Sequence, residues 1–329
     1  MNNTSVSANI DYTRSYINFG IYITQGVIQI PANLVIIIVV ALTRQLRRRE
    51  YILPTFLAAA DTTIGIGLLS AGTYRLYIIL SGQNEDLQTS WECFWKFHNQ
   101  FFIIGDCLVP AASFLISVDR LIACSSIRLY TSAAGKALVK SLLGVGLAVT
   151  VVFYGVAVYA SQQALQFGRR FKQICYTSYA LMPWFNTYVY WSYQTLVPLG
   201  CVLLYGIAMI ALRCQTDHVL GDLLKRKHER QAKVTRMLFT VMVFTLFLHA
   251  LPFSVMVYLN TSLTSRPDFM DVLIPISSIM KNVNSEINII IYMKKNAEFR
   301  QAIKRLISGT IFSQETSISD SAALTSRTK

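Results

Sequence analysis

Charged residues are scarce in this chain, and acidic residues are the scarcest of them. Only 14% of the 329 residues are charged, with 17 acidic side chains against 30 basic ones, while 53% are hydrophobic. Because a soluble domain carries about a quarter charged residues, the composition argues against a soluble enzyme or binding module. The formal net charge of +13 does not indicate nucleic-acid binding, because the basic residues form short clusters between apolar stretches. A polytopic membrane protein is the class that this composition favours.

Linkers, repeats and catalytic motifs are also absent from the sequence. No Gly/Ser-rich or Pro-rich segment separates domains, and no internal repeat supports a transporter built from duplicated halves. Without a His/Glu zinc motif or paired catalytic aspartates, we expect no enzyme, no metal site and no cofactor. Residues 1–16 are polar and lack a signal-peptide pattern, so the first apolar stretch is expected to act as an uncleaved signal anchor.

The chain does have seven apolar stretches that are long enough to cross a bilayer as helices. A spanning helix needs roughly 20 mostly apolar residues. The stretches cover residues 17–43, 52–80, 93–124, 137–160, 185–212, 234–259 and 271–293. We therefore predict an all-α membrane protein in which a seven-transmembrane helix bundle, residues 17–293, follows a short N-terminal segment, residues 1–16.

The distribution of lysine and arginine predicts the orientation of these spans. Basic clusters at 44–50, 225–236 and 294–305 fall on the same side if the seven spans alternate. Basic loops face the cytoplasm, so the N-terminus is predicted to be extracellular. Glycosylation sequons begin at Asn2, Asn3 and Asn260 on the predicted outer face.

Two of the six cysteines, Cys93 and Cys175, lie on the predicted outer side. That compartment is oxidising, so a disulfide between them is one interpretation, and two unpaired thiols are the other. The remaining cysteines lie in or beside spans, where they are expected to serve as small packing residues.

Several polar and charged residues lie inside the apolar stretches, where burying a charge costs at least ~2.5 kcal/mol and often marks function. Asp119 and Arg120 end the third stretch in "SFLISVDRLIACSSIRLY" (113–130), and the arginine could bond another helix or a partner. Alone, this pair could equally be a boundary salt bridge. In the last stretch, Lys281, Asn284, Asn288 and Tyr292 fall on one helical face.

Taken in chain order, these residues resemble the motifs of rhodopsin-like (class A) G protein-coupled receptors. Asn33 matches the family's span-one asparagine and Asp61 its span-two aspartate. Asp119-Arg120-Leu121 is similar to the Asp-Arg-Tyr motif, and residues 288–292 are similar to Asn-Pro-x-x-Tyr. The segment that follows resembles the family's short amphipathic eighth helix, and we assign it to residues 294–307.

Departures from these motifs resemble the nematode serpentine chemosensory branches of the family. Leu121 replaces the motif tyrosine, Ile289 the span-seven proline and Ala250 the span-six tryptophan, although Tyr130 falls where the following loop has its tyrosine. The family's acidic partner of the motif arginine is also missing, because Ala232 stands in its register. Glu229 is a candidate substitute for it.

The resemblance implies a plasma-membrane receptor that binds an extracellular ligand of unknown class and activates a heterotrimeric G protein. The ligand could be a small molecule or a peptide, with a chemosensory cue among the candidates. Beyond membrane lipids, the implied partners are arrestin and receptor kinases acting on a serine-rich tail, residues 308–329, expected to be disordered. The implied activation residues are Asp119, Arg120, Tyr130, Asn288 and Tyr292, and the implied polar network contains Asn33, Asp61 and Asn284.

The third and seventh spans each carry a charged residue at a similar expected depth. Asp106 lies about 21 Å outward of Arg120, and Lys281 lies about 16 Å outward of Tyr292, at the rise of an α-helix. Because the family places that tyrosine roughly one turn outward of the arginine, we predict an Asp106–Lys281 ion pair at the floor of the ligand pocket. The pair could contact the ligand or be purely structural.

Two further features leave alternatives open. His249 could be a pocket donor or a protonation switch, or simply a hydrogen-bonded histidine of the bundle. The aromatic run 184–193 could line the pocket or form an interfacial belt, and the belt is favoured for most of it.

A transporter or channel is the rival function, because intramembrane charge fits a permeation path equally well. In that interpretation Asp61, Asp106, Lys281 and Glu286 would line the path.

Overall fold

Long helices make up almost all of the structure, a computed structural model that describes residues 12–43, 46–126, 130, 132–168, 170–215, 222–262 and 267–308. Two π-helical segments, Phe185–Trp191 and Leu246–Ala250, continue directly into the helices that follow them. The helices are α1 (Tyr12–Leu42), α2 (Arg49–Leu80), α3 (Ser90–Phe94), α4 (Phe97–Ser125), α5 (Ala133–Gln166), α6 (Thr177–Ala180), α7 (Ser192–Gln215), α8 (Asp222–Thr245), α9 (Leu251–Ser262), α10 (Pro267–Lys295) and α11 (Ala297–Ile307).

Six segments in the described residues are long and apolar enough to cross a membrane, which confirms the predicted all-α membrane class. The region of the seventh predicted span lies in α10, a helix of 29 residues whose polar stripe lowers its apolar character. The six segments are Ser15–Leu42, Glu50–Leu80, Phe97–Ser125, Ala133–Gln166, Phe185–Cys214 and Gln231–Leu259.

The long helices form a closed bundle rather than an open layer. Helix α1 packs on α2, α2 on α4, and α4 on α5 and α7, while α10 closes the ring by packing on both α8 and α1. Helices α1 and α2 approach closely because Gly26 faces α2: a Cβ there would lie 2.7 Å from the backbone nitrogen of Leu69. Small residues allow such close packing of membrane helices.

One end of the bundle is covered by a disulfide-bonded loop; we call it the disulfide end. Cys93 and Cys175 form the bond, with their Cα atoms 5.3 Å apart, which confirms the disulfide rather than two unpaired thiols. Strands β1 (Leu87–Thr89) and β2 (Arg170–Lys172) pair antiparallel beside it. The backbone N–H of Thr89 donates to the Glu92 carboxylate at 2.8 Å, and this bond lowers the pKa of Glu92.

The predicted third span, 93–124, begins too early. Cys93 lies in the separate short helix α3, and the helical conformation is interrupted at Trp95 and Lys96 before α4 begins at Phe97. Because of this interruption Cys93 lies outside α4, where it forms the disulfide with Cys175.

The opposite end of the bundle, which we call the Arg120 end, carries the short amphipathic helix α11 at the predicted eighth-helix position. Asn296 caps it by accepting a hydrogen bond from the backbone of Phe299 at 3.2 Å, and its side-chain amide donates to the Tyr51 hydroxyl at 2.8 Å. Phe299 and Ile303 are buried, whereas Lys304 is exposed. One face of α11 therefore packs on the bundle.

Candidate functional site

A buried ion pair joins α4 and α10 in the half of the bundle nearer the disulfide end. Lys281 donates to one carboxylate oxygen of Asp106, and the two side chains are 11% and 4% exposed. The Tyr190 hydroxyl donates to the other carboxylate oxygen. The structure therefore brings together the two charged residues that helix geometry placed at equal depth, and adds a tyrosine as third member.

A second set of contacts extends from this pair to α8 and α9. The Gln194 amide donates to the backbone carbonyl of Asp106 at 2.6 Å, and its oxygen lies 2.9 Å from Nε2 of His249. That imidazole packs against the Phe253 ring at 5.3 Å between centroids, and Lys281 Nζ lies 5.8 Å from the centroid of the same ring. His249 is thus hydrogen-bonded within the bundle, in agreement with one of its two interpretations. It also packs on Phe253, a neighbour of Lys281.

Both π-helical segments place a polar side chain of this site. Tyr190 lies in Phe185–Trp191 and His249 in Leu246–Ala250. A π-helical turn holds one more residue than an α-helical turn, so it rotates the preceding side chains around the helix axis, and such segments are frequent at functional sites. The local backbone thus turns two side chains toward Asp106 and Gln194.

The aromatic run 184–193 does not form the favoured interfacial belt. Phe185 and Trp191 are buried, Tyr190 contacts Asp106, and the Tyr193 hydroxyl donates to the Cys107 carbonyl at 2.9 Å. Only Tyr188 among these five is strongly exposed, at 71%. The run is mainly a wall of the site, because the π-helical turn changes which aromatic positions face inward.

A polar network fills the middle of the bundle between α1, α2 and α10. The Asp61 carboxylate lies near Ser285 and Asn288, and its backbone carbonyl accepts a hydrogen bond from Gln29 at 2.9 Å. Asn33 donates to the Gln29 carbonyl at 3.0 Å and to Ser285 Oγ at 3.4 Å, while Gln29 donates to Ser285 Oγ at 3.1 Å. Asn33 and Asp61 thus share a partner instead of contacting each other directly.

A small cavity connects this network with the ion-pair region. It has a volume of about 10 Å³, and its lining includes Asp61, Ser113, His249 and Asn288. A cavity of this size holds about one water molecule. One carboxylate oxygen of Asp61 and the side-chain oxygen of Asn288 are buried without a protein partner, so the site has acceptors for such a water.

Asn284 lies on the other side of the same cavity, where it bonds α8. Its amide donates to Thr245 Oγ1 at 3.2 Å, and both side chains line the cavity. The bond links α10 to the last residue of α8, and from there α8 extends toward the Arg120 end.

Arg120 is 1% exposed and is held by a compact polar cluster. It forms an ion pair with Asp119, donates to the Tyr130 hydroxyl at 2.6 Å and donates to the Gln231 side-chain oxygen at 2.8 Å. The Gln231 amide in turn donates to Glu50 at 3.3 Å. Helices α2, α4 and α8 are therefore linked through one buried arginine.

Glu229, the candidate substitute for the missing acid, is not the partner of Arg120. It is exposed and lines an open cleft with Lys233, Arg236 and Lys295. The neutral Gln231 takes the contact instead, since its position on α8 faces α4 whereas Glu229 faces away from the bundle.

Two further predicted residues of α10, Tyr292 and Glu286, differ in burial. Tyr292 is 4% exposed, packs on Phe299 at 5.8 Å between ring centroids, and its hydroxyl has no protein partner. Glu286 is half-buried, with one carboxylate oxygen buried and unpartnered. Tyr292 faces the bundle with Asn288 and Asn284.

The structure describes only part of the predicted glycosylation sites and of the predicted tail. Asn2 and Asn3 lie outside the described residues, and so does the tail beyond Ser308. Asn260 lies within α9.

Sequence reasoning missed several members of these clusters. Tyr190, Gln194, Ser285 and Gln231 are polar residues with buried partners, but none belongs to a motif that singles it out. The available signal for Gln194 and Ser285 was their position inside an apolar stretch. Gln231 lies in the basic segment before span six, so nothing in the sequence marked it as buried.

These observations define a multi-pass helical membrane protein, with a buried charged site toward one end and a buried, hydrogen-bonded arginine at the other. The model of the family described as "Serpentine type 7TM GPCR chemoreceptor Srsx" matches residues 26–307, so the chain belongs to this family of seven-transmembrane G protein-coupled receptors. Membership confirms the serpentine chemosensory resemblance, a multi-pass place in the plasma membrane, and a receptor rather than an enzyme family. No curated protein matches the chain.

Proposed function

We propose that the chain is a chemoreceptor whose ligand binds beside Asp106 and Lys281 and whose G protein binds beside Arg120. The observation that carries this proposal is the buried Asp106–Lys281 ion pair with its third partner, Tyr190. A ligand with a charged or strongly polar group can compete for either member of the pair. Only a ligand that binds the active arrangement more tightly shifts the equilibrium toward it.

The disulfide end is proposed to be extracellular. The disulfide supports this orientation because such bonds persist in oxidising compartments. Exposed basic residues such as Lys294, Arg300 and Lys304 lie at the Arg120 end, as expected for the cytoplasmic side. An extracellular N-terminus with glycans on Asn2, Asn3 and Asn260 follows from the same orientation.

A continuous set of contacts supports coupling between the two ends. The ion pair bonds Gln194 and through it His249, which lines the cavity shared with Asp61 and Asn288. On the same face of α10, Tyr292 lies one turn beyond Asn288, toward the Arg120 end. We propose that loss of the ion pair repositions α8 and α9 relative to α10, because these helices meet at that point.

At the Arg120 end, activation requires α8 to leave α4. The Arg120–Gln231 hydrogen bond is the contact that must break, and the freed guanidinium would then contact a heterotrimeric G protein. Receptor kinases and arrestin are proposed to act afterwards on the serine-rich segment 308–329. The exposed basic face of α11 would lie against anionic lipids.

Nucleotide exchange on several purified G protein classes tests this function. The receptor is supplied in membranes with pools of candidate ligands, and Lys281→Met is compared with the parent chain. We expect a pool that stimulates exchange by the parent but not by the variant. Substrate flux that depends on Asp106, without binding of any G protein, would contradict the receptor function and favour transport.

A variant that releases Arg120 should be active without ligand. Replacing Gln231 by leucine removes the acceptor of the Arg120 Nη1 donor, whereas the bonds to Asp119 and Tyr130 remain; the loss costs the resting state about 1.5–3 kcal/mol. We expect basal nucleotide exchange to rise at least severalfold. Glu229→Gln, a change on the exposed side of the same helix, is the control and should leave basal exchange unchanged. An equal rise in both variants would show that surface charge, not the buried contact, holds the resting state.

A further inference from the structure

A third buried cation, Arg75 of α2, has no role in the proposed mechanism. It is 2% exposed. Its Nε donates to the Ile174 carbonyl and its Nη2 to the Cys175 carbonyl, each at 3.1 Å. Both acceptors are neutral, and within the described part of the chain no carboxylate pairs with it; the groups that act most on its charge are tyrosines.

The other two buried cations of the described residues each have a carboxylate partner. Arg120 is paired with Asp119, and Lys281 is paired with Asp106. Burying a charge without a counter-ion is strongly unfavourable, and yet Arg75 is as deeply buried as Arg120. Among the described side chains Arg75 therefore has no counter-ion, so an anion supplied by a bound ligand would complete the pair.

Aromatic rings surround the guanidinium of Arg75. Its guanidinium carbon lies 4.5 Å from the centroid of the Tyr176 ring and about 6 Å from those of Phe19 and Tyr22. These rings belong to α1 and to the loop that carries Cys175, and they surround Arg75 of α2. Aromatic faces stabilise a guanidinium without neutralising its charge.

Tyr22 connects this region with the ion pair. It lies one turn before Gln25 of α1, whose side-chain amide donates to the Ile279 carbonyl of α10 at 3.2 Å. Ile279 lies two residues before Lys281. Arg75 thus lies next to the proposed ligand site, between the ion pair and the disulfide-bonded loop.

We propose that Arg75 is the anion-recognition residue of the ligand site and that the ligand carries a carboxylate. The planar guanidinium presents parallel donors that match a carboxylate in a bidentate contact. The carboxylate replaces the carbonyls of Ile174 and Cys175 as acceptor, so its entry loosens the loop from α2. This inference rests on the proposed function and names the ligand class for it.

Thermal unfolding of the purified receptor in lipid nanodiscs tests the proposal. The probes are aliphatic, aromatic and amino-acid-derived carboxylates, including hexanoate, benzoate and hippurate, each paired with its methyl ester. We expect at least one acid to raise the unfolding temperature while its ester does not. Arg75→Gln should abolish this difference, Arg75→Lys should reduce it, and Arg170→Gln, the same change at an exposed arginine of β2, should preserve it.

Three outcomes would overturn the inference. One is the absence of any acid–ester difference across the panel. Another is a difference that persists in both Arg75 variants, and the third is one that persists in Arg75→Gln but is lost in Lys281→Met, which assigns the anion to the ion pair. Ligand-stimulated nucleotide exchange by the parent receptor is measured in parallel, and its absence counts against the proposed function instead.

Discussion

Replacement of Arg120 by alanine is expected to lower receptor-stimulated nucleotide exchange by more than about tenfold. The guanidinium is the group that we propose the G protein contacts once Gln231 releases it. A charge-assisted hydrogen bond contributes about 1.5–3 kcal/mol, and about 1.4 kcal/mol already corresponds to tenfold in affinity. The measurement is exchange on the G protein class that couples to the parent, with the Gln231→Leu background supplying activity where no ligand is known.

The control for this variant concerns its folding, because removing Arg120 leaves Asp119 buried without its ion-pair partner. Asp119→Asn combined with Arg120→Ala removes both charges and should fold as the parent does, as judged by surface expression and thermal unfolding. We expect this double variant to be as inactive as the single one. Exchange that survives in a folded double variant would show that the G protein does not depend on Arg120.

The second large effect is expected at the ion pair. Lys281→Met leaves the Asp106 carboxylate buried beside Tyr190 alone, and breaking a buried pair in this way costs about 3–5 kcal/mol. We expect a clear drop in the unfolding temperature of the purified receptor. Asp106→Asn combined with Lys281→Met should recover most of the loss, because no unpaired charge remains in the bundle.

A double-mutant cycle separates this pairing from other effects of the substitutions. The two single variants and the double variant are compared with the parent in the same lipid nanodiscs. Thr24→Val, at an exposed position of α1 where the hydroxyl bonds the Gly20 carbonyl of the same helix, serves as a control for an unrelated polar deletion. Additive losses from the two single variants would mean that Asp106 and Lys281 are energetically independent, and the ion pair would then carry no mechanism.

The helical architecture and the ion pair could be predicted because they depend on regular geometry. Apolar stretches of sufficient length identify spanning helices. A constant rise per residue, together with the tyrosine-to-arginine offset that the family resemblance implies, sets the relative depths of Asp106 and Lys281. The disulfide followed from Cys93 and Cys175 being the two cysteines on one side. These predictions need no knowledge of side-chain packing.

Other parts of the site depend on local departures from regular geometry and could not be predicted. The π-helical turn at Phe185–Trp191 brings Tyr190 onto Asp106, and no residue type in that run requires such a turn. The break between α3 and α4 likewise shifts Cys93 without a proline or glycine to signal it. Gln231 replaces an acidic residue by a neutral one, so a search for opposite charge pointed to Glu229 instead.

We propose that the ion pair near the disulfide end controls the separation of α4 and α8 at the Arg120 end. Spin labels on Ser125→Cys and Lys233→Cys, both at exposed positions, report that separation by pulsed electron paramagnetic resonance. Cys214→Ser removes the exposed free thiol from the background. The labelled receptor is compared with versions that also carry Lys281→Met or the charge-preserving Lys281→Arg.

We expect Lys281→Met to shift the population toward longer distances between the labels, whereas Lys281→Arg should keep the distance distribution of the parent. The Asp106→Asn single variant should resemble Lys281→Met, because either change breaks the same pair. Identical distributions in the parent and in folded Lys281→Met would contradict the account, since the two ends of the bundle would then be uncoupled.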